Sequence, residues 1–158
     1  MSERMRSTDR FRAAAEKASL PVEIREMPRS TRTAEEAAAA CGVSVAQIVK
    51  SLLFRKAASG EPVLLLVSGA NRVDQDAIRG VLGEPLERLD ASAVREITGF
   101  AIGGVAPLGS LTPVGAYMDA DLLAYETVWA AAGAPHTVFE AAPQALADAA
   151  GARIIDLR

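Results

Sequence analysis

The hydrophobic positions at the start of the chain repeat first with a helical period and then with a strand period. Apolar residues spaced three and four apart predict a helix over residues 8–19. Pro21 ends that helix, because proline cannot continue the backbone hydrogen bonding. Residues 22–27 then alternate apolar and charged side chains, which predicts a half-exposed strand.

Helix start and stop signals follow the predicted strand. Thr33 and Glu36 have the spacing of a capping box and predict a helix over residues 34–41. Gly42 is expected to end it, because glycine readily adopts the left-handed conformation of a C-cap. A second, short helix is predicted over residues 44–48.

The rest of the chain alternates apolar runs with turn residues. Residues 62–68 are apolar without alternation, so both faces of that predicted strand should be covered. Further predicted strands span residues 49–55, 116–118, 127–132, 136–140 and 153–157. Helices are predicted over residues 74–82, 90–97 and 143–150, and a Gly/Pro-rich stretch occupies residues 99–115. The pattern predicts one α/β domain over residues 1–158, with residues 1–19 as an N-terminal helical extension.

Composition limits the class of protein. Half of the 158 residues are apolar and 23% are charged, which is typical of a folded domain. Cys41 is the single cysteine, so an internal disulfide is excluded. The apolar runs are too short to span a membrane, and the charged start does not resemble a signal peptide. We therefore expect a cytoplasmic protein that binds no membrane.

Charge is distributed unevenly along the chain. Residues 1–58 carry 11 Lys/Arg and 7 Asp/Glu, whereas residues 59–158 carry 6 and 13. The basic part could face an anionic partner, or it could be an ordinary solvated surface. Without a Lys/Arg tract, any nucleic-acid footprint should be small.

Lys50 is the most informative side chain, because the chain otherwise prefers arginine, 14 to 3. In a strand, Lys50 would share a face with Ile48, Leu52 and Phe54. An ammonium on an apolar face is costly unless it has a partner or reaches water. Lys50 is therefore either a functional cation that holds an ester carbonyl or a phosphate, or an edge-strand lysine that extends to solvent.

The segment Gly103–Gly109 is the second feature. Its paired glycines allow close backbone approach, and exposed amides there could form an oxyanion-type cradle. Pro107 would stiffen the loop. The alternative is an ordinary connection between elements. One histidine and one cysteine cannot form a usual zinc site, and no dinucleotide or Walker motif is present, so neither metal nor cofactor is expected.

Together, these segments resemble the YbaK/EbsC family, also called the prolyl-tRNA synthetase-associated or editing domain. The resemblance covers about residues 20–158. The matching segments are residues 29–31, 33–38, 47–54, 103–109, 117–119, 128–129, 132–133 and 143–157.

The resemblance implies a fold, an activity and a set of site residues. The fold would be a single α/β domain with a mixed, barrel-like β-sheet and flanking helices. The activity would be deacylation of mischarged tRNA in trans, with a hydroxyl of the terminal ribose helping to activate the water. The catalytic set implied is Lys50, Gly103 and Gly104. The substrate-binding set implied is Ser30, Thr31, Thr33, Ser51, Val105, Pro107 and His136.

The expected partner is the acceptor end of a mischarged aminoacyl-tRNA, with a synthetase as a further candidate and no DNA. The footprint should centre on the basic N-terminal third, and the predicted tRNA contacts are Arg29, Arg32, Arg55 and Lys56. Residues 131–136 depart from the Ser-Ala-Gly-Lys-Arg-Gly type of stretch in members that remove cysteine, so cysteine specificity is not implied. His136 could replace part of that contact set or could be a surface histidine. The alternative function is a non-catalytic module that binds tRNA or a synthetase.

Overall fold

A computed structural model describes residues 3–157 of the chain. Its elements, in chain order, are α1 Glu3–Lys17, β1 Arg25–Glu26, α2 Ala34–Cys41, β2 Val49–Lys56, β3 Pro62–Ser68, α3 Gln75–Leu82, β4 Leu86–Arg88, α4 Ala91–Thr98, β5 Gly115–Asp119, β6 Val128–Ala131, β7 Thr137–Ala141, α5 Pro143–Ala150 and β8 Arg153–Ile155. Short 3₁₀ helices lie at Val45–Gln47 and Ala120–Ala124. None of the described helices is long and apolar enough to cross a membrane.

The strands form two sheets. One has three strands in the order β1-β7-β6, and the other has five in the order β4-β2-β3-β5-β8. In the larger sheet β2 pairs antiparallel with β3 and β4, whereas β3–β5 and β5–β8 are parallel. The prediction of a single mixed α/β domain is confirmed. The sheets are joined by a bridge between Ile48 and Trp129, and they do not close into one barrel.

Local sequence signals account for most of the helix ends. Thr33 accepts a hydrogen bond from the Glu36 N–H at 3.1 Å, and the Glu36 carboxylate accepts one from the Thr33 N–H at 3.3 Å. This is the predicted capping box, and Gly42 ends the helix in the left-handed conformation, with φ 70°. Asp74 and Asp90 cap α3 and α4 in the same way, through their side chains.

Most bounds shift by one or two residues, and three elements differ further from the predictions. Helix α1 begins at Glu3 rather than near residue 8, because the polar residues before Thr8 are compatible with a helix although they give no periodic signal. The strand predicted over residues 22–27 shortens to Arg25–Glu26, where pairing with β7 stops. β4 was not predicted, since three residues are too few to show a period.

The first helix is part of the main core rather than an extension of it. Phe11 and Ala15 are fully buried. The Phe11 ring lies 4.7 Å from that of Phe139, centroid to centroid. Arg10 reinforces the contact by donating to the carbonyls of Gly109 at 2.9 Å and Thr98 at 3.0 Å.

Candidate active site

A cavity of about 920 Å³ opens beside β2, where the two sheets meet. We call it the central cavity. It is bounded by the turn before α2, the loop after β3, the end of β4, the loop after α4, and β6. The residues lining it that bear on function are Thr31, Arg32, Thr33, Glu35, Lys50, Ser51, Asn71, Arg72, Arg88, Gly103, Val105 and Trp129. Much of the remaining lining is alanine, valine, leucine and isoleucine.

Lys50 places its ammonium in the central cavity. Its Nζ donates to the main-chain carbonyl oxygen of Asn71 at 2.5 Å. Burial lowers the pKa of Lys50 below its ordinary value, and the nearby Arg72 adds to that effect. The carboxylates of Glu35 and Asp119 act in the opposite direction and favour the ammonium. Lys50 is thus a partly desolvated cation held by a neutral oxygen.

A buried hydrogen-bond network lies behind that carbonyl. The Asn71 side-chain amide donates to Asp119 Oδ2 at 2.9 Å and to Asp121 Oδ2 at 2.7 Å. Asp119 is only 1% exposed, and its Oδ2 also accepts the Ser68 N–H at 3.1 Å. Its Oδ1 accepts the Asp121 N–H at 2.9 Å. Such a buried carboxylate is tolerated because its oxygens are satisfied by donors.

The backbone of β2 presents one of its edges to the cavity. The carbonyl of Ile48, just before β2, accepts the Gly69 N–H at 2.7 Å, and the Lys56 N–H donates to the Glu61 carbonyl at 2.9 Å. In an antiparallel pair such bonded positions alternate along the strand, so the even-numbered residues of β2 direct their backbone N–H and C=O groups toward β3. The N–H of Ala57, just after β2, points in the opposite direction and donates to the carbonyl of Pro85, the residue before β4, at 2.9 Å. Odd-numbered residues therefore direct their backbone groups toward the cavity side.

Ser51 lies in a gap of that edge. At one end of this edge, Ile48 forms a bridge with Trp129 of β6. At the other end, pairing with β4 covers only Phe54 to Lys56. Between these points no described strand pairs with the edge, so the Ser51 N–H and C=O face the cavity. The buried Ser51 Oγ and Trp129 Nε1 also lack hydrogen-bond partners among the described residues. Ser51 therefore brings unused donors and acceptors into an apolar space.

The glycine loop contributes further donors. Within residues 3–157, no backbone oxygen accepts the N–H of Gly103 or of Val105, both of which line the central cavity. Gly103 has a φ of 90°, and a Cβ there would lie 3.0 Å from Arg32 Cγ. Glycine is therefore needed both for the backbone conformation and for the close approach of the Arg32 turn.

Comparison with known proteins assigns the family. Residues 28–149 match the model of the aminoacyl-tRNA editing domain. The chain belongs to the aminoacyl-tRNA editing domain family. This confirms the resemblance inferred from the motifs.

Individual relatives agree with that assignment. An uncharacterized Bacillus subtilis protein, YwhH, is 35% identical over 80% of this chain and 80% of its own length. The proline–tRNA ligase of Bacillus licheniformis is 36% identical over 68% of the chain, which spans only 18% of that ligase. The crystal structure of a candidate trans-editing enzyme for prolyl-tRNA synthetase superposes with a TM-score of 0.89, at 47% identity, and covers 96% of each chain.

Within this editing domain, the structure brings about half of the predicted site residues to one place. Those that line the central cavity are Lys50, Gly103, Thr31, Thr33, Ser51, Val105 and Arg32. Those outside its lining are Gly104, Ser30, Pro107, His136, Arg29, Arg55 and Lys56.

Gly104 was predicted to offer its amide to substrate, and its geometry differs from that role. The Gly104 N–H donates to the Ala101 carbonyl at 2.9 Å. A Cβ at this position would lie 2.7 Å from the Ala134 carbonyl carbon and 2.9 Å from the Pro135 nitrogen. In the editing domain Gly104 therefore allows two backbone segments to touch, and the lining residues whose N–H groups lack a described backbone acceptor are its neighbours, Gly103 and Val105.

The segment that Gly104 touches supports the turn before α2. Thr31 donates to the Pro135 carbonyl through its N–H at 3.0 Å and through Oγ1 at 2.6 Å. His136 Nδ1 lies 3.2 Å from the Arg29 carbonyl oxygen. Thr31 and His136 thus hold the turn in place, and Thr33 serves as the N-cap of α2. Of these three, Thr31 and Thr33 also line the cavity.

The predicted tRNA contacts divide into two groups. Arg29 and Arg32 are exposed on the turn beside the cavity. Arg55 and Lys56 lie at the other end of β2, at about 17 and 20 Å from Lys50, respectively, at the usual rise of a strand. There Arg55 pairs with Glu87 at 3.2 Å, and Lys56 lies 3.8 Å from Glu61.

Several residues of the site were not found from the sequence. Arg72 and Arg88 are exposed at the cavity, and neither has a carboxylate partner within the described part of the chain. Asn71 and the buried Asp119 hold the loop behind Lys50. The segment 117–119 belongs to the family resemblance, and that was the one signal for Asp119. No group of three or more potential metal ligands occurs in residues 3–157.

Proposed function

We propose that this editing domain is a deacylase that hydrolyses the ester bond of a mischarged aminoacyl-tRNA in trans. The observation that carries the proposal is the Lys50 ammonium, which is partly desolvated in a cavity that also holds unused backbone donors. An ester gains negative charge on its carbonyl oxygen when water attacks. Donors and cations already in place in a low-dielectric site stabilise that charge most effectively.

The roles divide between two sides of the cavity. On one side, the Gly103 and Val105 N–H groups would donate to the ester oxygen, and Lys50 would add its positive charge. On the other side, the unpaired Ser51 edge would hold the polar groups of the aminoacyl moiety, while the apolar walls enclose its side chain. Orientation by several groups would supply a large part of the rate enhancement.

The attacking water has no obvious general base in the protein. Glu35 is the one carboxylate among the lining residues, and it is exposed at the start of α2. We propose that a hydroxyl of the terminal tRNA ribose orients and activates the water, as the family resemblance implies. Substrate would then supply a group that the enzyme lacks.

The RNA end would be held by the arginines around the cavity. Arg32, Arg72 and Arg88 come from three separate segments and are all exposed. Guanidinium groups suit phosphate because their fork of donors matches its oxygens. We therefore replace Arg55 and Lys56 by Arg72 and Arg88 in the proposed tRNA footprint. A protein with this substrate works where translation takes place, so the cytoplasmic location is part of the proposal.

The test is single-turnover hydrolysis of a panel of mischarged tRNAs. Lys50→Ala should lower the rate by a factor on the order of 10² or more, because a charge-stabilising contact is lost. Lys50→Arg should also lose activity, since a planar guanidinium does not replace a compact ammonium. Lys56→Ala is the matched control, because it removes a lysine from the same strand outside the cavity.

Each outcome has a defined meaning. Full activity of Lys50→Ala on a tRNA that the wild type hydrolyses would refute the catalytic role. If the wild type hydrolyses no member of a complete panel yet binds tRNA, the chain is a non-catalytic binding module.

A further inference from the structure

The carbonyl that holds Lys50 belongs to a residue whose own side chain is anchored. Asn71 lies in the loop after β3 and uses its two amide hydrogens on the carboxylates of Asp119 and Asp121, at 2.9 and 2.7 Å. Its main-chain oxygen accepts the Lys50 ammonium. One residue thus joins the cavity cation to the buried Asp119 at the end of β5 and to the half-buried Asp121 just after it.

Asp119 fixes this loop at two points. Its Oδ2 accepts from the Asn71 side chain and from the Ser68 N–H, the latter at 3.1 Å. Ser68 ends β3, and its own Oγ donates to the Ala46 carbonyl at 2.8 Å. The loop is also closed from within by the Asn71 N–H, which donates to the Ser68 carbonyl at 2.9 Å. Asp119 is 1% exposed, and its bond to the Ser68 N–H is buried.

Lys50 has four rotatable side-chain bonds and would otherwise sample many positions. Freezing such a side chain costs up to about 2 kcal/mol of rotamer entropy. A fixed acceptor for the ammonium restricts the side chain before substrate binds, so less rotamer entropy is lost on binding.

We propose that Asn71 and Asp119 are positioning residues for Lys50: Asp119 anchors the Asn71 side chain, and the Asn71 carbonyl then sets where the ammonium stands in the central cavity. Neither residue touches the reacting atoms on this assignment. The inference rests on the proposed function for its kinetic consequence, but its structural consequence can be measured without any substrate.

The kinetic test uses Asn71→Ala, which removes the anchor and leaves the carbonyl in the chain. On a tRNA that the wild type hydrolyses, kcat should fall on the order of 10-fold or more, while KM changes less than about 2-fold, because misplacing a catalytic group costs rate rather than binding. Asn71→Asp is the isosteric companion. It puts a third carboxylate beside Asp119 and Asp121 and should be at least as impaired. Gln75→Ala, exposed at the start of α3, is the control and should be unchanged.

The substrate-free test follows the Lys50 side chain by NMR with ε-carbon-labelled lysine. The charged groups that affect Lys50 are Glu35 on α2, Arg72 on the loop and Asp119 at the end of β5. Because Asp119 favours the ammonium, Asp119→Asn should lower the pKa of Lys50 relative to the wild-type protein. Asn71→Ala should broaden or average the Lys50 signal, as expected for a side chain that has lost its fixed acceptor.

The results separate the two proposals. An unchanged Lys50 signal and pKa in variants that remain folded by circular dichroism would overturn the positioning role, whatever the activity. A kcat loss that disappears after correction for the folded fraction would also overturn it. If the Lys50 signal changes as expected while the wild type hydrolyses no tRNA, the positioning role stands and the deacylase proposal fails.

Discussion

Replacing Gly104 with alanine tests whether the glycine loop depends on close packing at this position. The added Cβ would lie 2.7 Å from the Ala134 carbonyl carbon and 2.8 Å from its Cα. Ordinary contact begins at 3.4 Å, so one backbone segment must move by about 0.7 Å. Both contacts are with backbone atoms, which cannot rotate away as a flexible side chain can.

The expected cost follows from what moves. Overpacking of this kind costs about 1–3 kcal/mol. The displaced segment includes the Pro135 carbonyl that accepts two hydrogen bonds from Thr31, and losing one of them adds about 1 kcal/mol. The free energy of unfolding should therefore fall by roughly 2–4 kcal/mol. For a chain of this length Tm should drop by about 10 °C.

Urea unfolding and thermal melts measure the effect, and Gly80→Ala is the matched control. Gly80 lies inside α3, is exposed, and a Cβ there meets nothing within 4 Å. That variant should gain about 0.5–1 kcal/mol, because alanine favours the helix. If Gly104→Ala instead keeps full stability, the packing explanation is wrong.

Three further outcomes are expected. Lys50→Met should have a higher Tm than the wild type at neutral pH, and this difference should shrink toward pH 10.5. The reason is that the pKa of Lys50 is lowered in the folded protein, so wild-type stability rises with pH until the ordinary lysine pKa is reached. Thermal melts across that pH range measure the difference, and a constant difference would contradict the prediction. The double variant Arg72→Gln, Arg88→Gln should reduce the slope of log K against log salt concentration for tRNA binding by about 1.5, because two phosphate contacts are lost. Arg55→Gln should leave that slope unchanged, and filter binding at several salt concentrations measures both. Phe11→Ala should cost about 3–5 kcal/mol in urea unfolding, since the ring is fully buried, and a loss below about 1 kcal/mol would show that α1 is not part of the core.

The sequence predicted elements best where a local signal marks their ends. The capping box at Thr33, the left-handed Gly42 and the unbroken apolar run of β3 all have a short-range physical cause, and each occurs as predicted. The face of Lys50 also followed from strand period. Its neighbour Phe54 lies in the cluster with Leu65 and Ile78, whereas Ile48 lies beyond the strand and packs elsewhere.

Site residues that depend on long-range contacts could not be found in this way. Asp119 caps the short 3₁₀ helix after β5 by accepting the Asp121 N–H, a local contact that gives no sign of its burial. Its burial depends on Ser68 and Asn71, which lie about fifty residues earlier. Arg88 reaches the cavity through the three-residue strand β4, which has no period to read. Conversely, Arg55 was selected because it belongs to the basic N-terminal third, yet it lies five positions along an extended strand from Lys50.

The central cavity itself follows from how little of one edge of β2 is paired. β4 pairs with β2 only from Phe54 to Lys56, and β6 bridges it only at Ile48. A longer β4 would pair with Ser51 and fill the space with backbone. Because the edge is left open there, β2 offers unpaired polar groups to a ligand while its apolar side chains pack on both faces of the sheet. Lys50 directly precedes Ser51, so strand β2 places the backbone of Lys50 next to the unused backbone groups of Ser51, and the Asn71 carbonyl then holds the ammonium.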